Sequence, residues 1–328
     1  MVQKKRILSG MRPTGKMHLG HLVGTLDNWI KLQEEYDCFF MVADWHALMS
    51  EYEDPKAISD YAIDNVVDWI SFGIDPNKST LFIQSQVPEH LDLFMIFSCL
   101  TPLGWLERCP TYKEQLREIK TRDLHTYGFL GYPVLQAADI LVYKADKVPV
   151  GEDQLPHLEL TREISHRFNS LYKKKLFPYP DAILTKTSRL LGLDARKMSK
   201  SYNNTIDLSD SAETIKKKVQ TMITDPKRIK LTDKGHPEIC NVYSYYAIFV
   251  PDIKEEVSVW CRSALKGCTE CKKNLALKLI EKLSPFHQKR EELLGDRHKI
   301  EHILEEGKKR AQSVAGETLK EVRTVLGI

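Results

Sequence analysis

Arg6–His21 has the sequence RILSGMRPTGKMHLGH, and it indicates how this chain begins to fold. The apolar run Arg6–Met11 predicts a short buried strand, and the Pro and Gly residues after it predict a turn. Apolar residues then recur at a spacing of three and four from Leu19 to Ile30, which predicts a helix from His18 to Glu34. The stretch is therefore a strand, a turn and a helix.

The same alternation continues through the first half of the chain. Strands are predicted at Cys38–Ala43, Leu81–Ile83 and Lys147–Val150, and helices at Ala57–Phe72, from Glu89 to about Leu100, and from about Tyr132 to Tyr143. This order predicts a doubly wound parallel sheet with helices on both faces. In such sheets ligands bind beyond the carboxyl ends of the strands, so Asp44, Trp45 and His46 are expected there.

The second part of the chain has a different pattern. Beyond Ser211 it predicts helices without further strands. We therefore expect an α/β catalytic domain over residues 1–205, with a polar, irregular insertion near 102–130, followed by a mostly α-helical domain over 206–328. The length of 328 residues is sufficient for two such cores.

Composition excludes several classes of protein. Hydrophobic content of 42% and charged content of 28% are typical of a globular protein. No apolar run is long enough to span a bilayer, and no secretory core follows the amino terminus, so a cytoplasmic protein without a membrane partner is expected. A net charge of +3 permits an RNA partner but does not demonstrate one.

The helix that begins near His18 has features of a phosphate site. Helix starts expose backbone N–H groups and partial positive charge, which suit phosphate. His18 and His21 lie on one face and can donate hydrogen bonds as charge builds on phosphate oxygens. Gly20 leaves room for an adenine ring. The alternative, surface histidines beside a chance glycine, fits the strand–turn–helix context less well.

A second motif, Lys197-Met198-Ser199-Lys200-Ser201, follows the alternating half. Two lysines on a flexible loop can close over a triphosphate and neutralise departing pyrophosphate. Taken alone, such a loop is usually a solvated linker. Together, the two motifs predict activation of a carboxylate by ATP, with Lys197, Lys200, His18 and His21 as the catalytic residues.

These motifs resemble those of a known family. Pro13–His21 resembles the HIGH motif of class I aminoacyl-tRNA synthetases, and Lys197–Ser201 matches their KMSKS motif. Four further stretches resemble bacterial tryptophanyl-tRNA synthetases, and the likeness covers nearly the whole chain: Met11–Gly15, Ala43–Ala47, Tyr132–Ile140 and Val148–Gln154. The resemblance implies a Rossmann-like catalytic domain that forms tryptophanyl-adenylate from L-tryptophan and ATP and transfers it to tRNA(Trp). It also implies Mg²⁺, an anticodon-binding helical domain, and a homodimer bridged by one tRNA.

The resemblance also implies roles for individual residues. It assigns these residues to ATP: Arg12, Pro13, Thr14, Gly20, His21, Gly151, Glu152, Asp153, Lys197, Met198, Ser199, Lys200 and Ser201. It assigns Asp139 to the indole N–H of tryptophan, and it assigns Tyr132, Gln136, Gln154 and His46 to the surrounding pocket.

Helical spacing supports the assignment of Asp139. Tyr132, Gln136, Asp139 and Tyr143 recur at four, three and four residues and therefore share one helix face. A buried carboxylate needs a partner, and indole offers a single donor, so such a pocket rejects phenylalanine. A helix-capping or ion-paired aspartate is the structural alternative. A phenol can also bond to this acid, so a tyrosine–tRNA ligase stays open.

Seven cysteines, an odd number, argue against a disulfide framework in a cytoplasmic chain. Cys240, Cys261, Cys268 and Cys271 are separated by 20, 6 and 2 residues. Four thiolates suit a [4Fe–4S] cluster or structural Zn²⁺, and spacing alone does not separate the two. The resemblance favours the cluster, since some bacterial tryptophanyl-tRNA synthetases hold one on a similar quartet. Unliganded thiols are the third alternative.

Two functions outside the synthetases remain as alternatives. A small-molecule adenylyltransferase shares the His-x-Gly-His helix start, but it lacks a large helical domain for tRNA. A non-catalytic regulatory relative has no chemical need for the intact histidines and lysines.

Overall fold

The computed structural model describes residues 4–118, 122–184 and 190–328. Within these residues, five parallel strands form one sheet in the order β3-β2-β1-β4-β5. The strands are β1 (Arg6–Met11), β2 (Asp37–Val42), β3 (Ser79–Ile83), β4 (Lys147–Val150) and β5 (Asp181–Leu184). The order reverses between β1 and β4, as in doubly wound nucleotide-binding folds. The predicted Rossmann-like sheet is confirmed, although β5 was not among the predicted strands.

The helices were predicted less completely than the strands. They are α1 (Leu19–His21), α2 (Asp27–Glu35), α3 (Asp44–Glu51), α4 (Ile58–Phe72), α5 (Glu89–Leu100), α6 (Leu103–Glu107), α7 (Pro110–Glu118), α8 (Tyr127–Val142), α9 (Leu155–Leu171), α10 (Ala212–Thr221), α11 (Asn241–Phe249), α12 (Lys254–Arg262), α13 (Cys268–Leu294) and α14 (Arg297–Leu326). A π-helical segment, Leu22–Leu26, lies between α1 and α2. The part of the chain after Ser211 that the structure describes is helical, without strands, as predicted.

The polar composition of segment 102–130 predicted an irregular insertion, and this prediction is wrong. The described part of the segment contains α6, α7 and the first turn of α8. Pro110 begins α7, a position where its missing N–H has no helical partner to lose. Leu106 is buried and Trp105 packs against the core of the sheet, so a few apolar contacts outweigh the surrounding charge.

The chain divides into two compact units. The sheet unit comprises residues 1–15, 28–186 and 293–328, and the second unit comprises residues 16–27 and 187–292. The carboxyl-terminal helix α14 belongs to the sheet unit, where it packs against β3. Gly307 makes this packing possible, since a Cβ there would lie 1.8 Å from the Leu81 carbonyl oxygen. The functional division at residues 205 and 206 stays a prediction.

Alternating side chains of the sheet pack on its two faces. Phe39 joins a core formed with α5, α8, α9 and α14. Phe40 stacks on Trp29 of α2 with ring centroids 4.2 Å apart, and Trp69 of α4 meets Trp29 edge-on. Burial on both faces fixes the strand register, for example Met11 beside Val42. The carboxyl ends of β1, β2 and β3 are thereby held at one edge of the sheet.

Among the described residues, no helix combines the length and the apolar character that crossing a bilayer requires.

Candidate active site

Several candidate residues follow the carboxyl ends of neighbouring strands in the sheet unit. Arg12 follows β1, and Asp44 and His46 follow β2. Gln84 follows β3, and Gly151 follows β4. This is the edge at which open parallel sheets bind ligands. The rule that predicted Asp44 and His46 after β2 therefore applies also to Gln84 after β3.

Asp139, on α8, is the centre of a buried polar group that we call the aspartate pocket: Gln84, His90, His46, Asp139 and Tyr143. Its Oδ1 atom accepts a hydrogen bond from Gln84 Nε2 at 2.8 Å and lies 2.6 Å from His90 Nδ1. Its Oδ2 atom lies 2.7 Å from His46 Nε2. Asp139 is only 2% exposed, so these contacts replace water as its hydrogen-bond partners.

The Asp139 carboxyl is ionised at neutral pH. Burial raises its pKa, but hydrogen bonds from His46 and His90 outweigh burial and lower the pKa to about 2. An ionised carboxylate only accepts hydrogen bonds, so both histidine nitrogens that face it carry protons. The pocket thus holds a permanent anion, which suits recognition of a ligand donor.

Tyr132 and Gln136 share the face of α8 with Asp139 but have different surroundings. Tyr132 is buried, and its hydroxyl lies 3.1 Å from His157 Nε2. The other ring nitrogen of His157 lies 3.4 Å from the sulfur of Cys109. Burial lowers the pKa of His157 to about 4, so the ring is neutral. Gln136 is half-buried, whereas its neighbours on α8 are buried.

The residues assigned to ATP in the sheet unit lie next to strand ends. Arg12 has an exposed side chain that interacts electrostatically with Glu51 and Tyr132. Pro13 is buried, and the Thr14 N–H donates to the Arg12 carbonyl in the turn after β1. Gly151 lies directly after β4.

The ³₁₀ turn Glu152–Gln154 precedes α9. Glu152 and Asp153 are exposed. Gln154 donates its amide to the Asp153 carboxylate at 2.9 Å, so the pocket role expected for Gln154 stays a prediction.

The helix start at His18 differs from the expectation, because its backbone N–H groups already have partners. The His18 N–H donates to His21 Nδ1 at 3.0 Å, and the Gly20 N–H donates to His18 Nδ1 at 3.1 Å. The Leu19 N–H donates to the Ile206 carbonyl, and the His21 N–H to the His18 carbonyl. These bonds form a capping box built from histidines. The helix start therefore does not offer these amides to phosphate.

The two histidines instead offer their outer ring nitrogens. Burial lowers the pKa of His18 to about 4, and the charge of Lys200 lowers it as well. Burial, aided by His18 and Lys200, also holds the pKa of His21 well below 6.5. A neutral ring whose Nδ1 accepts a hydrogen bond carries its proton on Nε2. Each histidine is therefore a neutral Nε2–H donor, suited to an anionic oxygen.

The lysine loop lies beside these histidines in the second unit. Residues Met17–Leu19 pair antiparallel with Ile206–Leu208, and a Cβ at Gly20 would lie 3.6 Å from Met198 Sδ. The same Cβ would lie 2.9 Å from the ring of His18. Position 20 therefore requires a glycine, because the ring of the capping His18 occupies the space that a side chain would need. We call His18, His21 and Lys200 the histidine–lysine site.

Asn204, a residue that no sequence pattern indicated, holds the base of the lysine loop. Its Oδ1 accepts the Ser199 N–H at 2.8 Å. Its Nδ2 donates to the Lys197 carbonyl at 3.1 Å and to Asp194 at 2.7 Å. Met198 is buried, Lys197 is exposed and Lys200 is half-buried. The side chain of Ser201 lies outside the described residues.

In all, four residues of these sites were missed, for different reasons. Gln84 directly follows a strand end, which is a usable signal. His90 on α5, His157 on α9 and Asn204 after the lysine loop carry no such signal, because their partners are distant in sequence or depend on a loop conformation.

The four late cysteines lie near one another in the second unit. Burial raises the pKa of Cys271 to about 12, and Cys240, Cys261 and Cys268 also interact electrostatically with this thiol. The sulfur of Cys240 accepts backbone N–H groups, including those of Val242 and Tyr243 at the start of α11. Within the described ranges, however, no group of three or more His, Cys, Asp and Glu side chains has the arrangement of a metal site.

Comparison with known proteins agrees with this geometry. The family of class I tRNA synthetases (W and Y) matches residues 2–284. The tryptophan–tRNA ligase of Thermotoga maritima is 50% identical, over 98% of this chain and 99% of that protein. The Clostridium longisporum tryptophan–tRNA ligase is 43% identical over 99% and 97%. The structure of Campylobacter jejuni tryptophanyl-tRNA synthetase, complexed with ADP and tryptophan, has a TM-score of 0.91 at 31% identity, over 98% of this chain and 100% of that one. This chain belongs to the class I tRNA synthetases of the tryptophan and tyrosine group.

Proposed function

We propose that this protein is a tryptophan–tRNA ligase that uses its two polar sites in one reaction. The observation that carries the reaction class is the proximity of His18 and His21 to the lysine loop within one compact unit. Relatives that are 41–50% identical over nearly the whole chain and are tryptophan–tRNA ligases support the amino acid.

The first step joins tryptophan to AMP. An oxygen of the tryptophan carboxylate attacks the α-phosphorus of ATP, the bond to the β-phosphate oxygen breaks, and pyrophosphate leaves. In the second step a ribose hydroxyl at the 3′ end of tRNA(Trp) attacks the carbonyl carbon of the adenylate, and AMP leaves. Negative charge builds on phosphate oxygens in the first step, so its catalysis is mainly electrostatic.

The histidine–lysine site supplies groups that match this charge. The neutral Nε2–H groups of His18 and His21 donate hydrogen bonds to phosphate oxygens without needing to take up a proton first. The ammonium of Lys200 adds a positive charge, and exposed Lys197 can approach the departing pyrophosphate. Magnesium, when bound, neutralises part of the triphosphate charge. Asp207 and Asp210 are the carboxylates near this site that could approach such an ion, and both pair with Lys218.

The aspartate pocket supplies the choice of amino acid. Ionised Asp139 accepts the indole N–H, which is the single polar group of the tryptophan side chain. Phenylalanine offers no donor, so its binding would leave the buried Asp139 carboxylate without that hydrogen bond. Tyr132, Gln136, His46 and Gln154 are proposed to line the same pocket.

A pyrophosphate-exchange assay with tryptophan, tyrosine and phenylalanine tests this function. Exchange with tryptophan alone is expected. Exchange with tyrosine alone would make the protein a tyrosine–tRNA ligase, the other specificity of its family. Absence of exchange with all three would contradict a synthetase and favour an adenylyltransferase of another substrate.

We also propose that Cys240, Cys261, Cys268 and Cys271 bind a [4Fe–4S] cluster, with Zn²⁺ as the alternative. Four thiols with backbone N–H groups around one sulfur provide the donor set that either group uses. Anaerobically purified protein is expected to be brown, with about four iron atoms per chain. Colourless protein containing zinc would favour the alternative.

A double variant, Cys268→Ser with Cys271→Ser, is expected to lose the bound metal, while Cys99→Ser, at an exposed cysteine outside the quartet, retains it. Full iron content in the double variant would contradict the proposed ligands.

The remaining proposals concern partners. The helical domain over 206–328 is proposed to bind the tRNA(Trp) anticodon, and two chains are proposed to form a homodimer bridged by the tRNA. A role in protein synthesis also favours a cytoplasmic location. Light scattering of the purified protein, with and without tRNA(Trp), measures the assembly directly; a monomer under both conditions would contradict the dimer.

A further inference from the structure

The carboxylate of Asp139 has partners on both oxygen atoms before any substrate is considered. Oδ1 receives hydrogen bonds from Gln84 and His90, and Oδ2 from His46. Gln84 and His90 are 0% exposed, whereas His46 is half-buried. A carboxylate oxygen has two lone pairs, so Oδ1 is saturated from inside the protein while Oδ2 retains one acceptor position.

His90 is held in one orientation by a second partner. Its Nε2 lies 2.8 Å from the hydroxyl of Tyr143, which is also 0% exposed. Because Nδ1 must donate to the ionised carboxylate, the ring cannot turn over without losing both contacts. The hydrogen bonds from Tyr143 to His90 and from His90 to Asp139 therefore prevent rotation of the carboxylate about the Cβ–Cγ bond of Asp139. As a result, Oδ2 stays on the side of His46.

The side-chain nitrogens that lie within hydrogen-bond distance of Asp139 all serve its carboxylate. Gln84 Nε2, His90 Nδ1 and His46 Nε2 each point to the carboxylate, and the carbonyl oxygen of Gln84 is buried without a hydrogen-bond partner among the described residues. Next to Asp139 the pocket thus offers two acceptors to a ligand, the open position on Oδ2 and the Gln84 carbonyl oxygen. Such a pocket matches an indole N–H, which only donates. It matches a phenol less well, because a phenol oxygen also accepts.

We infer that His90 and Gln84 are positioning residues that set the selectivity for a donor-only ring by fixing Asp139 through its Oδ1 atom. This inference rests on the proposed role of Asp139 in binding the tryptophan side chain. It assigns to His90 and Gln84 no contact with the reacting atoms.

The test compares L-tryptophan with L-β-(3-benzothienyl)alanine, in which sulfur replaces the ring N–H. The ratio of kcat/KM values for the two amino acids in pyrophosphate exchange measures how much the hydrogen bond from the ring N–H to Asp139 favours tryptophan. His90→Leu removes the donor to Oδ1 and is expected to reduce this ratio by about tenfold or more. His90→Asn places an amide N–H near the former Nδ1 position and is expected to retain most of the ratio.

Further variants separate the possible outcomes. Gln84→Met should reduce the ratio in the same direction, and it keeps the inference testable if His90→Leu does not fold. His166→Leu, at an exposed histidine, is the matched control and should leave the ratio unchanged. Asp139→Asn serves as the reference for the pocket itself.

Loss of selectivity in Asp139→Asn together with an unchanged ratio in folded His90→Leu and Gln84→Met would overturn the inference while the proposed function stands. An unchanged ratio in Asp139→Asn would remove the proposed role of Asp139, and the inference with it. Equal losses for His90→Leu and His90→Asn would show a packing role instead of positioning through the Nδ1–H.

Discussion

The aspartate pocket and the histidine–lysine site use histidines in opposite ways. In the aspartate pocket, His46 and His90 donate to a carboxylate whose pKa is lowered to about 2, so the anion is present at every physiological pH. In the histidine–lysine site, burial and a neighbouring cation keep His18 and His21 neutral.

This difference corresponds to the two tasks that we propose for these sites. A site that recognises a neutral ring needs one strong acceptor in fixed position, and a buried network supplies it. A site that stabilises charge arising during the reaction needs donors whose hydrogens are directed at the phosphate beforehand. Neutral imidazoles and one ammonium can supply those donors without the burial of a cluster of cations.

The largest expected effect is on the lysine of the histidine–lysine site. Lys200→Ala should slow adenylate formation by about 100-fold or more, because a charge that opposes the departing pyrophosphate is lost. Tryptophan affinity, measured by fluorescence titration, should change little. Lys216→Ala, at an exposed lysine of α10, is the control and should retain the rate. A rate loss matched by an equal loss of tryptophan affinity would indicate ground-state binding instead.

The next prediction distinguishes the roles of the two ring nitrogens of His18. His18→Asn keeps a side-chain acceptor for the Gly20 N–H but lacks the Nε2–H donor, so the adenylation rate should fall by about 10- to 100-fold with little change in stability. His18→Ala removes the cap as well and should lower the free energy of unfolding by about 1 kcal/mol more. A fully active His18→Asn enzyme would show that Nε2–H does not act on phosphate.

A third prediction concerns pH and the buried neutral His157. Its pKa is lowered to about 4 from 6.5, so between these values the unfolded chain binds a proton that the folded chain does not. Its contribution to stability is therefore complete above pH 6.5 and is lost as the pH falls towards 4. From pH 7 to pH 5 the loss should be about 2 kcal/mol.

Urea titrations of the wild type and of His157→Gln at both pH values measure this contribution. The wild type should lose more stability on acidification than the variant, which cannot titrate at this position. Parallel losses would contradict a neutral buried ring.

The smallest expected effect is on the support of the lysine loop. Asn204→Ala leaves the Ser199 N–H and the Lys197 carbonyl without their side-chain partner and should lower the adenylation rate by about tenfold, through a less ordered loop. Asn203→Ala is not a suitable control, since Asn203 has a left-handed backbone with φ of 49°. Lys217→Ala, at an exposed lysine of α10, is the better control. An unchanged rate for Asn204→Ala would show that the loop is positioned by other contacts.

The sequence pattern predicted the strands best. Four of the five described strands were located within two residues at each end, because strands buried on both faces appear as continuous apolar runs. β5 is short and partly exposed, so it carries no such run. Residues 102–130 were misjudged because their many charged residues hide the few apolar ones that pack on the core.

The candidate site was predicted in part. Helical spacing predicted which residues share one face of α8. The residue types in the two motifs predicted their role in nucleotide binding. Gln84 was within reach of the rule that ligands lie beyond strand ends. His90, His157 and Asn204 were not, because their importance depends on partners 49, 25 and 5 residues away.

By itself, the sequence determined four of the five described strands, the reaction class and the family, because local periodicity and short motifs are written in consecutive residues. Only the tertiary structure decided which histidine nitrogens donate, that the amides of the first helix turn are already bonded, and that Asp139 has one acceptor position left. Those properties follow from burial and from hydrogen bonds between distant segments, and they exist only once the chain has folded.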